Sequence, residues 1–359
     1  MTKDKIETIP ALDGIRGAAC LLVVLSHVAE YLPNSSKIFS FPIALGSPGV
    51  AIFFLLSGYL MSYLYLGKPF DIKTSCGYVI SRFSRIAPAY WIAILMSVAI
   101  YVFVDGEFPA GVPPHEMLRH LLFIGGKGVF WSIPPEVQYY VFFLGVWFAA
   151  DKLRVKVYWP LVLVLVLVVF MWFTRERWPG ILLPSKFHFF ISGCLAAIVF
   201  DQVRWRFAPT MLLVTLAQLM SIVAISFGIS GLRGVASHEF YNSSWFFLIV
   251  FFFIIAFCFR SQFADGLFGN KLMRWFGRVS FSVYLFHCPV LYGAAWMLSQ
   301  FDLVGVGYDM MGIFFAILVP GLFSLWIELP LCRVFKTWLN RHLKDFFLLR
   351  EKQKVSVEM

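Results

Sequence analysis

The sequence predicts an all-α, polytopic membrane protein of about ten transmembrane helices with both termini in the cytoplasm. Composition is the first reason: of 359 residues, 60% are apolar and only 14% charged, against roughly 45–50% and about 25% in an average soluble domain. A soluble chain of this size would lack the side chains to dissolve its own surface. The second reason is the recurrence of bilayer-length apolar runs along the whole chain. The third is the uneven distribution of Lys and Arg between successive connections.

A spanning helix needs about 20 mostly apolar residues. Such runs fall at 12–32, 46–66, 87–104, 131–150, 157–174, 183–200, 208–228, 244–260, 279–299 and 308–329. An even number of spans puts both termini on one side. The connections on that side carry 23 of the 30 Lys and Arg, and the opposite connections carry 7. Positive residues stay inside, so the termini are expected in the cytoplasm of a cell inner membrane. The net charge of +10 would suggest nucleic acid for a soluble protein. Here basic loops beside an anionic leaflet explain it, and no nucleic-acid partner is expected. The partner expected everywhere along the chain is the lipid bilayer.

Residues 1–335 are expected to form the membrane domain, and 336–359 a basic amphipathic tail on the inner leaflet. The six cysteines are scattered with no CxxC among them, so neither a disulfide framework nor a metal site is expected. The first apolar stretch contains Asp13 and Arg16 and has no small-residue cleavage site, so a cleavable signal peptide is not expected.

Ionisable residues inside apolar runs are costly and mark function by default. The first span carries Asp13, Arg16, His27 and Glu30. Arg16 and His27 are eleven residues apart, which on a helix is about 20° from three full turns and about 16 Å of rise. Both face one stripe, with the guanidinium near the inner end and the imidazole near mid-bilayer. Asp13 precedes Arg16 by three residues and can pair with it. A cation at the mouth suits phosphate, and imidazole suits removal of a hydroxyl proton near neutral pH. An interfacial ion pair and a packed histidine would leave the same residues in place.

Ser57 and Gly58 sit near the middle of the second span, as a ligand or nucleophile or simply as small residues for close helix approach. Arg82 and Arg85, three apart before the third span, make a phosphate site or merely satisfy the positive-inside rule. Glu136 lies at the start of the fourth span behind Pro134 and Pro135, with Tyr139 and Tyr140 one turn on; a helix-start carboxylate also serves as a dipole partner. The ninth span brings Tyr284 and His287 to mid-bilayer, with Pro289 positioned to bend it. Glu328 at the end of the tenth reads as a cap or salt bridge. His115 and His120 show no metal-ligand spacing, and His188 reads as packing.

Taken together these residues resemble the acyltransferase-3 family of integral membrane O-acyltransferases, over about residues 9–335. The LDGxRG opening stands as Leu12 to Gly17, and Arg-x10-His as Arg16 and His27. FFxxSGY stands as Phe53 to Tyr59, and RxxRixPxY as Arg82 to Tyr90. WSlxxExxxY supplies Trp131, Ser132, Glu136 and Tyr140; YLxHxP runs from Tyr284 to Pro289, and E-x-P closes as Glu328 and Pro330. Six motifs in order, at matching membrane depths, make the resemblance specific.

The resemblance implies transfer of an acyl group, most often acetyl, from cytoplasmic acyl-CoA to a hydroxyl, chiefly on exopolysaccharides, O-antigens or lipid-linked glycans. On that reading Arg16, Arg82 and Arg85 hold the CoA phosphates, and Asp13 supports Arg16. His27, with Glu136 and His287, does the chemistry, and Ser57, Tyr140 and Tyr284 line the substrate site. Acyl-CoA is the only co-substrate expected, with no metal. Some relatives append an SGNH-type domain after the last span, whereas this chain ends about 30 residues beyond it; the membrane body or a separate partner is then expected to complete transfer. The alternative class is a transporter or flippase using the buried Arg, His and Glu as a path for substrate or protons.

Overall fold

A computed structural model describes residues 9–32, 46–152, 169, 173, 177–206, 210–231 and 244–358. Among these residues the regular structure is entirely helical. The longer helices are α1 (Pro10–Tyr31), α2 (Gly46–Tyr65), α3 (Ile72–Phe103), α5 (Ile133–Lys152), α6 (Leu183–Arg206), α7 (Met211–Gly231), α8 (Ser244–Cys258), α10 (Lys271–Gln300), α11 (Val306–Phe323) and α12 (Leu329–Glu358). Two short ones are α4 (Met117–Leu121) and α9 (Gln262–Leu267). Each expected span falls on one of these helices except 157–174, which lies almost wholly outside the described residues.

Among the described residues, five stretches are long and apolar enough to cross a membrane: Pro10–Val28, Gly46–Tyr65, Ile72–Phe103, Lys271–Gln300 and the continuous run Val306–Leu343. Shorter apolar helices cover Leu183–Ile198, Met211–Ser226 and Leu248–Cys258. Burial is arranged as lipid demands. Phe103, Met220, Leu212 and Trp326 are exposed, while His287, Glu328 and Lys186 are buried. Water would reverse that arrangement; hydrocarbon tolerates apolar residues outside and requires polar groups inside to meet partners.

The site depends on two close helix pairs. α1 packs along α10, and a Cβ at Gly277 would overlap the carbonyl oxygen of Asp13, while one at Gly14 would overlap that of Phe268. α2 packs along α6, where Gly58 and Gly193 remove the Cβ atoms that would meet the backbones of Phe190 and Leu55. Small residues thus let backbones touch where lipid supplies no hydrophobic drive. The LDGxRG and SGY glycines therefore have a packing reason.

α3 opens with a capping box: the Asp71 carboxylate accepts from the Thr74 amide at 2.9 Å, and the Asp71 amide donates to the Thr74 hydroxyl at 3.3 Å. Between α11 and α12 a five-residue π turn, Ser324–Glu328, interrupts the helical ladder. Such bulges redirect side chains, and this one turns Glu328 inward. α12 continues without a break past residue 336. Its Phe335 ring lies 6.0 Å from Phe83 and 6.4 Å from Trp91, and Lys336 donates to Ser81 at 3.4 Å. The first turns after 329 are therefore docked on α3.

Candidate active site

Two connected cavities run inward between α1, α2, α3, α5 and α10. The outer one, a basic mouth of about 530 Å³, is lined by Asp13, Arg16, Arg82, Arg85 and Glu328 among others. The inner one is a chamber of about 60 Å³ lined by Ser57, Ser132, Glu136, Tyr140 and Tyr284 with Phe53, Phe54 and Phe281. Arg16, Arg82 and Arg85 line both, so the three guanidiniums form the neck between them. Sequence spacing alone offered Arg82 and Arg85 as phosphate ligands or topological charge; the fold adds Arg16 to them across helices. No ion pair joins Asp13 to Arg16 among the described residues. Asp13 stands in the mouth instead, and the Asp13 backbone receives α10.

Glu136 is the polar centre of the chamber. The Ser57 hydroxyl donates to Glu136 Oε1 at 2.8 Å and the Tyr140 hydroxyl donates to the same oxygen at 2.7 Å. α2 supplies one donor and α5's own next turn supplies the other. Hydrogen bonds to a carboxylate are about twice as strong as neutral ones, so the pair fixes the side chain that lines the chamber. Ser57 is thus a ligand of Glu136 as well as part of a close-packed SG step.

Tyr284 closes the chamber. Its hydroxyl donates to the Val129 carbonyl at 2.7 Å and lies 2.7 Å from the Ser132 hydroxyl. A phenol has one proton. With that proton on the Val129 carbonyl, Ser132 must be the donor in the second bond. Tyr284 therefore ties α10 to the turn Gly128–Ser132 that starts α5.

Beyond this wall lie the histidines. The His287 and Tyr284 rings are 6.2 Å apart, and the His27 and His287 rings 5.2 Å apart. His287 is fully buried, and its Nδ1 sits 2.8 Å from the Tyr284 carbonyl and 3.1 Å from that of Val283. Carbonyls only accept, so Nδ1 carries the proton and Nε2 is left with its lone pair. Nε2 lies 3.4 Å from the Cys288 thiol. His27 Nδ1 lies 3.4 Å from Glu30 Oε2, which orients the ring and leaves Nε2 for chemistry. The carboxylate beside an imidazole is thus Glu30, while Glu136 is engaged by hydroxyls. His27, His287 and Cys288 also hold ligand atoms within 4.8 Å of one another, the one group among the described residues able to hold a metal ion.

Seven of the expected site residues, Arg16, Ser57, Arg82, Arg85, Glu136, Tyr140 and Tyr284, therefore line one chamber. Asp13 lines the mouth, and His27 and His287 form a separate pair behind Tyr284. Sequence reasoning gave no role to Glu30, although its i+3 spacing from His27 was the available signal. It also missed Ser132 as a donor, and Arg274, Arg278, Arg333 and Lys336, which line the mouth but read as ordinary inside charges. Glu328 is buried rather than a boundary cap, and accepts from the Ser282 hydroxyl and from Ser324 at 2.6 Å. His188 is fully buried, 4.2 Å ring to ring from Phe189, in keeping with packing.

A polar, cation-necked chamber thus lies inside a body of apolar helices long enough to cross a membrane. The chain belongs to the acyltransferase-3 family, whose model, described as an acyltransferase domain, matches residues 9–327. It is similar to the peptidoglycan O-acetyltransferase OatA of Listeria monocytogenes, 24% identical over 324 residues, covering 79% of this chain and 49% of OatA. It is also similar to YrhL of Bacillus subtilis, 24% identical over 327 residues, 79% of this chain and 48% of that one. Protein 2 in the picA locus of Rhizobium radiobacter is 29% identical over 106 residues, 28% of this chain and 50% of that protein. The chain spans about half the length of these curated relatives. No solved structure matches.

Proposed function

We propose that this protein transfers an acetyl group from acetyl-CoA to a hydroxyl of a carbohydrate at the membrane. One observation carries the reading: three guanidiniums, Arg16, Arg82 and Arg85, form the neck between a basic mouth and a small chamber holding a fixed carboxylate. A phosphate-rich donor fits such a mouth. A chamber of about 60 Å³, where one water needs roughly 10–15 Å³ of the same space, holds only a few waters and suits a small acyl group. The likeness to OatA, named a peptidoglycan O-acetyltransferase, supports a carbohydrate acceptor.

The donor enters from the basic face, with phosphates at the neck and the thioester beyond Arg16. His27 is the base. The acceptor hydroxyl gives its proton to His27 Nε2 while its oxygen bonds the thioester carbonyl carbon. The carbon–sulfur bond then breaks, and the departing thiolate takes the proton back from the imidazolium. Glu30, 3.4 Å from His27 Nδ1, stabilises that imidazolium. A route through a transient acyl-His27 uses the same atoms in two steps. Glu136 orients polar groups in the chamber, and Tyr284 stands between the chamber and the imidazole pair, 6.2 Å ring to ring from His287, so the reaction requires the thioester to reach past the Tyr284 ring to His27. The ten apolar runs and the 23 to 7 charge split support ten spans with both termini on the cytoplasmic side of the inner membrane, an arrangement in which the mouth would face the acyl-CoA pool.

The test is transfer of label from radiolabelled acetyl-CoA to membrane glycan extracts by purified, reconstituted protein. Wild type should transfer, while His27→Ala should lose transfer with abundance and folding intact. Substantial turnover by His27→Ala would remove His27 from the chemistry. Glycan translocated without any labelled acetyl transfer would establish a flippase instead.

A further inference from the structure

The mouth carries more positive charge than the neck needs. Beyond Arg16, Arg82 and Arg85, four further cations line it: Arg274 and Arg278 on α10, and Arg333 and Lys336 on α12. Each pair sits at i,i+4 or i,i+3 and so shares one helix face. Seven cations meet only two carboxylates there, Asp13 and Glu328, and the Glu328 carboxylate is already engaged by two serine hydroxyls. None of the seven is in an ion pair among the described residues. Arg333 Nε donates to the Leu329 carbonyl of its own helix at 3.3 Å, and Lys336 Nζ donates to Ser81 at 3.4 Å. The Arg82 Nε is buried with no hydrogen-bond partner. Like charges gathered without counter-charge repel one another, and a topological signal needs charges on a side of the membrane, not convergence on one cavity.

We propose that Arg274, Arg278, Arg333 and Lys336 form a second phosphate subsite that recognises the 3′-phosphate of coenzyme A, apart from the pyrophosphate held at the neck. The inference rests on the acyl-CoA reading and deepens it. A surplus of five positive charges over the two carboxylates exceeds the two charges of a pyrophosphate diester. A phosphomonoester of about −1.5 to −2 added to the same diester brings the ligand to about −3.5 to −4, much nearer that surplus. The volume of about 530 Å³ lies within the range of roughly 300–1,000 Å³ typical of small-molecule sites, so a nucleotide is accommodated outside the neck while pantetheine threads it. An anionic lipid headgroup offers the same phosphomonoester chemistry and is the competing source.

The experiment is calorimetric titration of the full chain in phosphatidylcholine nanodiscs with CoA and with 3′-dephospho-CoA. CoA should bind at least about tenfold tighter, a difference of about 1.4 kcal/mol. Arg274→Gln with Arg278→Gln, and separately Arg333→Gln with Lys336→Gln, should abolish the preference while leaving 3′-dephospho-CoA affinity unchanged. The two pairs lie on different helices, so misfolding of one variant leaves the other to decide. Arg260→Gln, a cation of the same basic series outside the mouth, should keep the full preference. In turnover, acetyl-3′-dephospho-CoA should raise KM with kcat unchanged. Equal binding of the two ligands by wild type would overturn the subsite while leaving acyl-CoA as donor. Binding of neither would overturn the acyl-CoA reading itself. Loss of the CoA preference on adding phosphatidic acid to the nanodiscs would assign the four cations to lipid and overturn the proposal.

Discussion

Tyr284 offers a quantitative test of the proton assignment on which the chamber wall rests. The phenol donates to the Val129 carbonyl at 2.7 Å and accepts from Ser132 at 2.7 Å, and Tyr284, Val129 and Ser132 are all buried. Tyr284→Phe keeps the ring and removes both bonds. A buried polar group left unmet costs about 1–3 kcal/mol; the Val129 carbonyl bears that cost in full, and the Ser132 hydroxyl less because it can rotate. The expected loss is about 2–4 kcal/mol. Ser132→Ala removes only a donor to an oxygen that keeps its own donation, for a loss of about 1 kcal/mol. The Ser132–Tyr284 bond is counted in both single variants, so the double variant should fall short of their sum by about 1 kcal/mol. Denaturation by SDS in lipid–detergent micelles, followed by tryptophan fluorescence, measures all four corners of this cycle. Strict additivity, or a Tyr284→Phe loss below about 0.5 kcal/mol, the range of substitutions touching nothing, would refute the assignment.

Two further tests address how the helices are positioned. Gly277→Ala should destabilise by about 1–3 kcal/mol because its Cβ overlaps the Asp13 backbone. Gly293→Ala on the same helix meets nothing and should stabilise by about 0.4–1 kcal/mol; equal effects at the two positions, read by the same SDS titration, would disprove the close α1–α10 approach. Asp71, capping α3, has its carboxyl held below the ordinary carboxylate range, first by the Thr74 amide and then by the Thr74 hydroxyl. A depressed folded value means the cap contributes fully above the unfolded carboxylate pKa and is lost as pH falls through the lower folded one. Amide exchange at the start of α3 should therefore accelerate on acidification in wild type, and be fast and nearly pH-independent, after correction for intrinsic rates, in Asp71→Ala.

The all-helical class was legible because apolar runs of bilayer length have no other use in a sequence this poor in charge. One local pairing was legible too: Glu136 with Tyr140 is an i,i+4 relation, whereas the Asp13–Arg16 pair that i,i+3 spacing suggests is not formed among the described residues. The Ser57–Glu136 bond joins residues 79 apart, and no periodicity reports a contact between separate helices. Periodicity is equally silent on His27 and His287, which only the family resemblance put in one site; their proximity goes with Gly17 and Gly277 letting α1 lie against α10. Glu328 was misjudged for a different reason. Spacing reads as a cap or salt bridge there, but Glu328 ends a π turn, is buried, and is met by the Ser282 and Ser324 hydroxyls. Arg274 and Arg278 were read as topological charge because a linear count does not distinguish a cation facing a cavity from one facing solvent.

The separation of guanidiniums from imidazoles has an electrostatic logic. A base that accepts a hydroxyl proton becomes a cation, and a cation is repelled by others nearby. At an effective dielectric of about 20, two unit charges 4 Å apart interact by about 4 kcal/mol, and the energy falls as their separation grows. Three arginines close to His27 would oppose its protonation in the step where protonation is required. The chain instead places Arg16 eleven residues from His27, about 16 Å along the helix, and gives the imidazole Glu30 as its neighbour at 3.4 Å. In the proposed reaction, phosphates, which need the cations, and the hydroxyl proton, which must avoid them, would thus be served at opposite ends of one helix. Bringing an arginine to the histidine end, as in Glu30→Arg, should therefore suppress transfer far more than it weakens CoA binding. Equal losses in a kcat and Kd comparison would mean that the two ends are not electrostatically independent.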